Sequence, residues 1–152
     1  MQIQEIMKPG ITGFCRYPDK FKEQNDKDFD VYLYQAVTSN KGKVISKELL
    51  VNNKNFFTYL IEINFEQYYI LLNSIYPLMA FAASVDYSGI NFIDPIDIFD
   101  ISLQSPYKTL SIEVLNKPIE MIDLETLRDY EIKIIKYWNP GIIGEVIFNY
   151  WD

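Results

Sequence analysis

Three carboxylates spaced three residues apart, Asp94, Asp97 and Asp100, are the side chains of this chain best placed to do chemistry, and Asp86 precedes them. On a helix the three would share one face. Two such acids can hold a hard cation or divide the roles of general acid and general base. A glycosidase-like or metal-assisted hydrolase would need two of Asp86, Asp94, Asp97 and Asp100 at about 5–9.5 Å in a cleft. No glycine-centred calcium loop surrounds them, so a solvated acidic face is the plainer reading. A third use is an interface. Tyr87, Phe92 and Phe99 flank the acids, and aromatic anchors beside carboxylates suit a cationic protein surface: the rings supply desolvated contact while the acids steer encounter. On that reading Asp86, Tyr87, Phe92, Asp94, Asp97 and Asp100 are the partner-binding residues.

Other chemistry is thin. The chain has no His, which removes Ser-His-Asp and Cys-His arrangements. One Cys and no His cannot supply the usual zinc ligands. Cys15 stands beside Arg16, a cation that can favour a thiolate, but a lone Cys in an apparent strand is more often a small buried hydrophobe. The segment Gly10-Ile-Thr-Gly13 is too short for a phosphate loop and lacks its Lys and Ser/Thr. These absences predict a protein with no catalytic residue, no metal and no cofactor.

Charge is unevenly spread. From Asn55 to Tyr107 there is no Lys or Arg, yet Glu62, Glu66, Asp86, Asp94, Asp97 and Asp100 fall there. That stretch therefore carries six of the seven net negative charges, and the rest of the chain is nearly balanced at fifteen acids to fourteen bases. A one-signed field attracts cationic partners and repels nucleic acid and anionic membrane.

Length and composition predict one domain over 1–152. At 49% hydrophobic and 23% charged the chain is globular in composition. Twelve Tyr, ten Phe and two Trp are an unusually aromatic set, suited to core packing and to interfaces. A single Cys argues for a reducing compartment, and Met1 to Lys8 lacks the basic and apolar regions of a signal peptide; the expected location is the cytoplasm. Tyr68 to Val85 is apolar and about the minimum length for a membrane span. Polar interruptions, acidic flanks and the lack of nearby basic anchors favour a buried helix over a span.

The elements that must position these groups predict an α+β fold. Ile11 to Tyr17 reads as a short strand. Phe29 to Thr38 alternates as a strand, and a Ser39–Gly42 turn leads to a second strand over Lys43 to Val51. Phe56 to Ile63 adds a third. Asn64 then caps a central apolar helix on which Tyr68, Leu71, Leu72, Ile75 and Met79 share a stripe, with a kink at Pro77. Asp94-Pro95 fits either a helix start or an irregular stretch. Tyr107 to Leu115 reads as a later strand. Asp123 caps a helix with Leu124, Leu127, Tyr130, Ile134 and Tyr137 on its apolar face, and the paired apolar residues from Ile142 to Trp151 suggest a second C-terminal helix. The expectation is an antiparallel sheet from the N-terminal third plus one later strand, packed by three helices.

The C-terminus adds a pattern: Trp138-x-Pro140, then Ile143-Gly144-Glu145, then Phe148-Asn149-x-Trp151-Asp152. It resembles the C-terminal signature of small bacterial immunity proteins encoded beside polymorphic or contact-dependent toxins. Physically the segment reads as a structural tail, with Trp151 and Phe148 packing and Gly144 allowing close approach. The resemblance implies a non-catalytic protein that binds and neutralises a toxic enzyme, often a nuclease, and it assigns no contact residue. An acidic inhibitor can mimic the substrate of a basic nuclease. The alternatives are a structural or assembly protein of a phage or secretion system, in which exposed aromatics make oligomer contacts, and the carboxylate-dependent hydrolase above.

Overall fold

The computed structural model describes residues 3–50, 54–99 and 105–151. Its elements are α1 (Ile3–Ile6), α2 (Asp26–Ser39), β1 (Lys43–Glu48), β2 (Phe56–Ile63), β3 (Glu66–Asn73), β4 (Leu78–Asp86), β5 (Gly89–Ile93), β6 (Lys108–Thr109), α3 (Ile112–Leu115), α4 (Asp129–Trp138) and α5 (Ile143–Ile147). The α+β class holds, with an antiparallel sheet and C-terminal helices. Among the described residues, β1 to β5 form an antiparallel meander in sequence order, and β6 pairs in parallel with the start of β4.

Two assignments change hands relative to the sequence reading. Phe29 to Thr38 is helical, not extended, and lies within α2. Asn25 caps it, its side chain accepting from the Lys27 N–H at 2.9 Å, and Phe29, Leu33 and Val37 make the buried stripe four residues apart. The alternating residues that mimic a strand, Val31, Tyr34 and Gln35, are exposed. Conversely, the predicted central helix is the β3–β4 hairpin, and Pro77 sits between its strands instead of kinking a helix. These strands are covered on both faces, so they read as an unbroken apolar run that periodicity alone cannot tell from a buried helix. Tyr68 to Val85 therefore does not form one continuous helix. No helix among the described residues is long and apolar enough to cross a membrane.

Three smaller expectations also shift. Ile11 to Tyr17 is irregular, and Cys15 in it is exposed, its Sγ donating to the Asp19 carbonyl at 3.0 Å. Tyr107 to Leu115 divides into β6 and α3. Asp123 lies in a 3-10 turn, where its carboxylate accepts from Glu120 N–H at 2.9 Å and pairs with Lys117 at 2.7 Å, while α4 begins only at Asp129.

The strand period of two sorts the sheet residues onto two cores. Phe57, Tyr59, Ile61, Ile70, Leu72, Met79 and Phe81 meet α2. Phe56, Leu71, Ala80 and Phe92 meet α3, α5 and the N-terminal segment, with Ile6, Ile11, Ile143, Val146 and Phe148. Buried polar groups tie the chain's ends to the second face, as burial of amides demands. Asn55 and Asn73 both donate from Nδ2 to the carbonyls of Ile11 (3.1 and 3.1 Å) and Ile147 (3.0 and 2.8 Å). Asn149 donates to Thr12 and Val146 carbonyls at 3.1 and 3.0 Å. The fully buried Glu131 accepts from Gly10 N–H at 3.1 Å and from the Thr12 hydroxyl at 2.6 Å, pinning the N-terminal loop to α4.

Candidate partner-binding site

Alternate connections of a meander lie at the same end of the sheet. The β2–β3 and β4–β5 hairpin tips therefore project side by side, two strand spacings or about 10 Å apart. Each tip carries one strongly exposed aromatic beside one acid. At the first, Phe65 is 98% exposed next to Glu66; at the second, Tyr87 is 87% exposed next to Asp86.

Local chemistry holds both tips out. The β2–β3 loop has two residues between the paired Ile63 and Glu66, and both sit at positive φ, Asn64 at 53° and Phe65 at 67°. Hairpins of this kind match the sheet's twist, but the second position favours Gly, and a bulky side chain there is an outlier. At the β4–β5 tip, Asp86 Oδ1 accepts from Ser88 N–H at 2.8 Å, Gly89 N–H at 3.2 Å and the Ser88 hydroxyl. These bonds, that of the Ser88 hydroxyl foremost, hold the Asp86 carboxyl below the usual carboxylate range.

The C-terminal tail completes the surface. A groove of about 160 Å³ runs between the second tip and the tail, bordered by Asp86, Tyr87, Trp138, Glu145, Tyr150 and Trp151. Trp138 is 40% exposed, stacks parallel on Trp151 with ring centroids 6.3 Å apart, and meets Tyr137 edge-on at 5.5 Å. Among the described residues, no Lys or Arg lines the groove.

The six residues singled out from sequence do not form one face. Asp86 and Tyr87 occupy the second tip together. Phe92, expected as a surface anchor, is 3% exposed and packs on Phe148 with ring centroids 6.0 Å apart, so it offers nothing to a partner. Asp94 follows the far end of β5, about 17 Å along the strand from the Asp86 level. That separation is too great for the acid pair of a glycosidase. Asp97 lies over α2, where Tyr32, Gln35 and Asn40 border it. Asp100 is outside the described residues. Phe99 stacks on Tyr32 at 5.0 Å. Among the described residues, no group of three or more metal-capable side chains converges.

The basic-free segment is also partly met by cations from outside it. Lys43, at the head of β1, stands 3.6 Å from Glu62. Glu66 instead accepts from the Tyr68 hydroxyl at 2.5 Å. The acidic character of the tip end thus rests on Glu66, Asp86 and Glu145.

Sequence reasoning passed over Phe65, Trp138, Glu145 and Trp151 as contact residues. A legible signal existed for Phe65: an Asn-Phe pair between two apolar runs, where Asn-Gly would be expected of a hairpin turn. The other three lie in the tail pattern, which reads as a structural segment with Trp151 packing and no separate role for Trp138 or Glu145. Comparison of the chain with protein-family models, with curated proteins and with solved structures returns no match.

Proposed function

We propose that this chain is an immunity-type protein that acts in the cytoplasm by binding and neutralising a cationic bacterial toxin domain, a basic nuclease being the best-fitting class. The observation that carries the reading is the tip end of the sheet, where two adjacent hairpins each hold an exposed aromatic beside an acid. Soluble proteins bury large aromatics where they can, so paired exposure at rigid turns favours a surface built for contact. Aromatic anchors with carboxylates beside them suit a partner that offers apolar pockets among Lys and Arg.

Neutralisation here needs no chemistry from the chain: it blocks the toxin by occupying the surface on which an anionic substrate would lie. Association should be fast and should slow as salt screens the field. The test is co-expression with the toxin domain encoded next to this gene. Protected growth, with an association rate that falls between low and high salt, is expected. Cells killed despite abundant folded protein would overturn the reading.

A further inference from the structure

We propose that the groove between the β4–β5 tip and the C-terminal tail is a slot for one arginine side chain of the protein partner. This rests on the reading above for where the arginine comes from, but the chemistry of the slot stands on the groove itself.

Size sets the class of occupant. About 160 Å³ admits a single side chain, whereas small-molecule sites begin at about 300 Å³. Charge sets its sign. Asp86 and Glu145 border the groove with no Lys or Arg among its described lining residues. Among the described residues, each carboxylate is oriented through one of its two oxygens. Asp86 uses Oδ1 for the turn, and Glu145 Oε2 accepts from Gly141 N–H at 3.3 Å. Among the described residues, nothing donates to Asp86 Oδ2 or Glu145 Oε1. Two fixed acids with one free oxygen each are ready to accept from a cation.

Shape selects the guanidinium over an ammonium. Trp138 and Trp151 lie with ring planes 5° apart, and Trp138 is the more open. A planar, weakly hydrated guanidinium stacks on an indole face while its fork reaches two acceptors, which a compact ammonium cannot do at once. Glu145 and Trp138, which flank Pro140 in the tail pattern, thereby gain a role beyond packing.

The experiment uses the full chain and N-acetyl-arginine amide as probe, read on the indole N–H signals of the two Trp residues by NMR. Saturable shifts of both indoles at millimolar probe are expected, smaller with N-acetyl-lysine amide and absent with the neutral citrulline analogue. Glu145→Gln and Asp86→Asn keep an acceptor for their turns while removing the charge; each should weaken the arginine effect by about fivefold, the upper end for one exposed ion pair. Equal shifts from arginine and citrulline, or none from arginine, would overturn the slot. In co-expression, undiminished protection by Glu145→Gln and Trp138→Leu would overturn the slot and leave the toxin reading intact. Arginine-specific shifts in a protein that fails to protect cells would do the reverse.

Discussion

Replacing Phe65 by Gly should strengthen the fold and weaken the function, and the two effects can be measured apart. Phe65 is 98% exposed, so its ring gives up almost no buried contact when removed. Its φ of 67° is left-handed, a conformation that costs a residue with a Cβ roughly 1–2 kcal/mol. Glycine removes that cost but adds about 0.5–1 kcal/mol of unfolded-chain entropy. The net expectation is a gain of about 0.5–1 kcal/mol, or a Tm higher by about 1–4 °C for a chain of this size. Against the toxin the balance reverses. Seating a Phe in a partner pocket contributes about 1.5–3 kcal/mol, so Kd should rise about ten- to a hundredfold. Thermal unfolding and calorimetric titration of the same preparation give both numbers. Phe65→Asn, a residue that tolerates positive φ, separates loss of the ring from gain of glycine flexibility. A fall in Tm of several degrees would show that Phe65 holds the fold. An unchanged Kd would show that the β2–β3 tip does not meet the partner.

Three further outcomes test the fold that carries the site. A Cβ at Gly144 would stand 2.8 Å from Cζ of Phe92 and 3.0 Å from the Leu115 carbonyl; Gly144→Ala should therefore cost about 1–3 kcal/mol in urea unfolding, and a neutral result would contradict the packing of α5 on β5. The Thr58 hydroxyl is buried with no partner among the described residues; Thr58→Val should raise stability by about 1 kcal/mol, and a clear loss would reveal a hidden bond. The hydrogen bond from Lys47, at 2.5 Å, leads the causes that hold the Asp26 carboxyl below the usual carboxylate range. A depressed carboxylate contributes its stability above the unfolded value and loses it as pH falls through the folded one. Stability of the natural chain should thus decline below about pH 4 more steeply than that of Asp26→Asn; parallel acid limbs in urea midpoints would count against the Lys47 bond.

Residue type and spacing were enough for several features. The strands over Lys43 to Glu48 and Phe56 to Ile63 and the docked tail followed from β-branched runs and apolar pairs four apart. The hairpin expected across Ser39–Gly42 does not form, because Phe29 to Thr38 is helical and β1 pairs with β2 instead. What misled was burial. Leu71 and Leu72 face different cores on opposite sides of one strand, so their adjacency looked like a helical stripe. In α2 the stripe of Phe29, Leu33 and Val37 was masked by exposed Val31 and Tyr34. Single-strand periodicity reports one face at a time and is silent when both are covered.

For the binding surface the same division applies. Composition alone determined that the middle of this chain is acidic and that it lacks His, because charge and side-chain inventory do not depend on folding. Which acids act together was decided only in three dimensions. Strand direction sent Asp86 to one end of β5 and Asp94 to the other, sheet packing put Phe92 inside, and chain return brought Trp138, Glu145 and Trp151, more than fifty residues later, against the Asp86 tip. Proximity across that separation comes from the meander's geometry and from the amides of Asn55, Asn73 and Asn149 that fix the tail, and no local pattern encodes it.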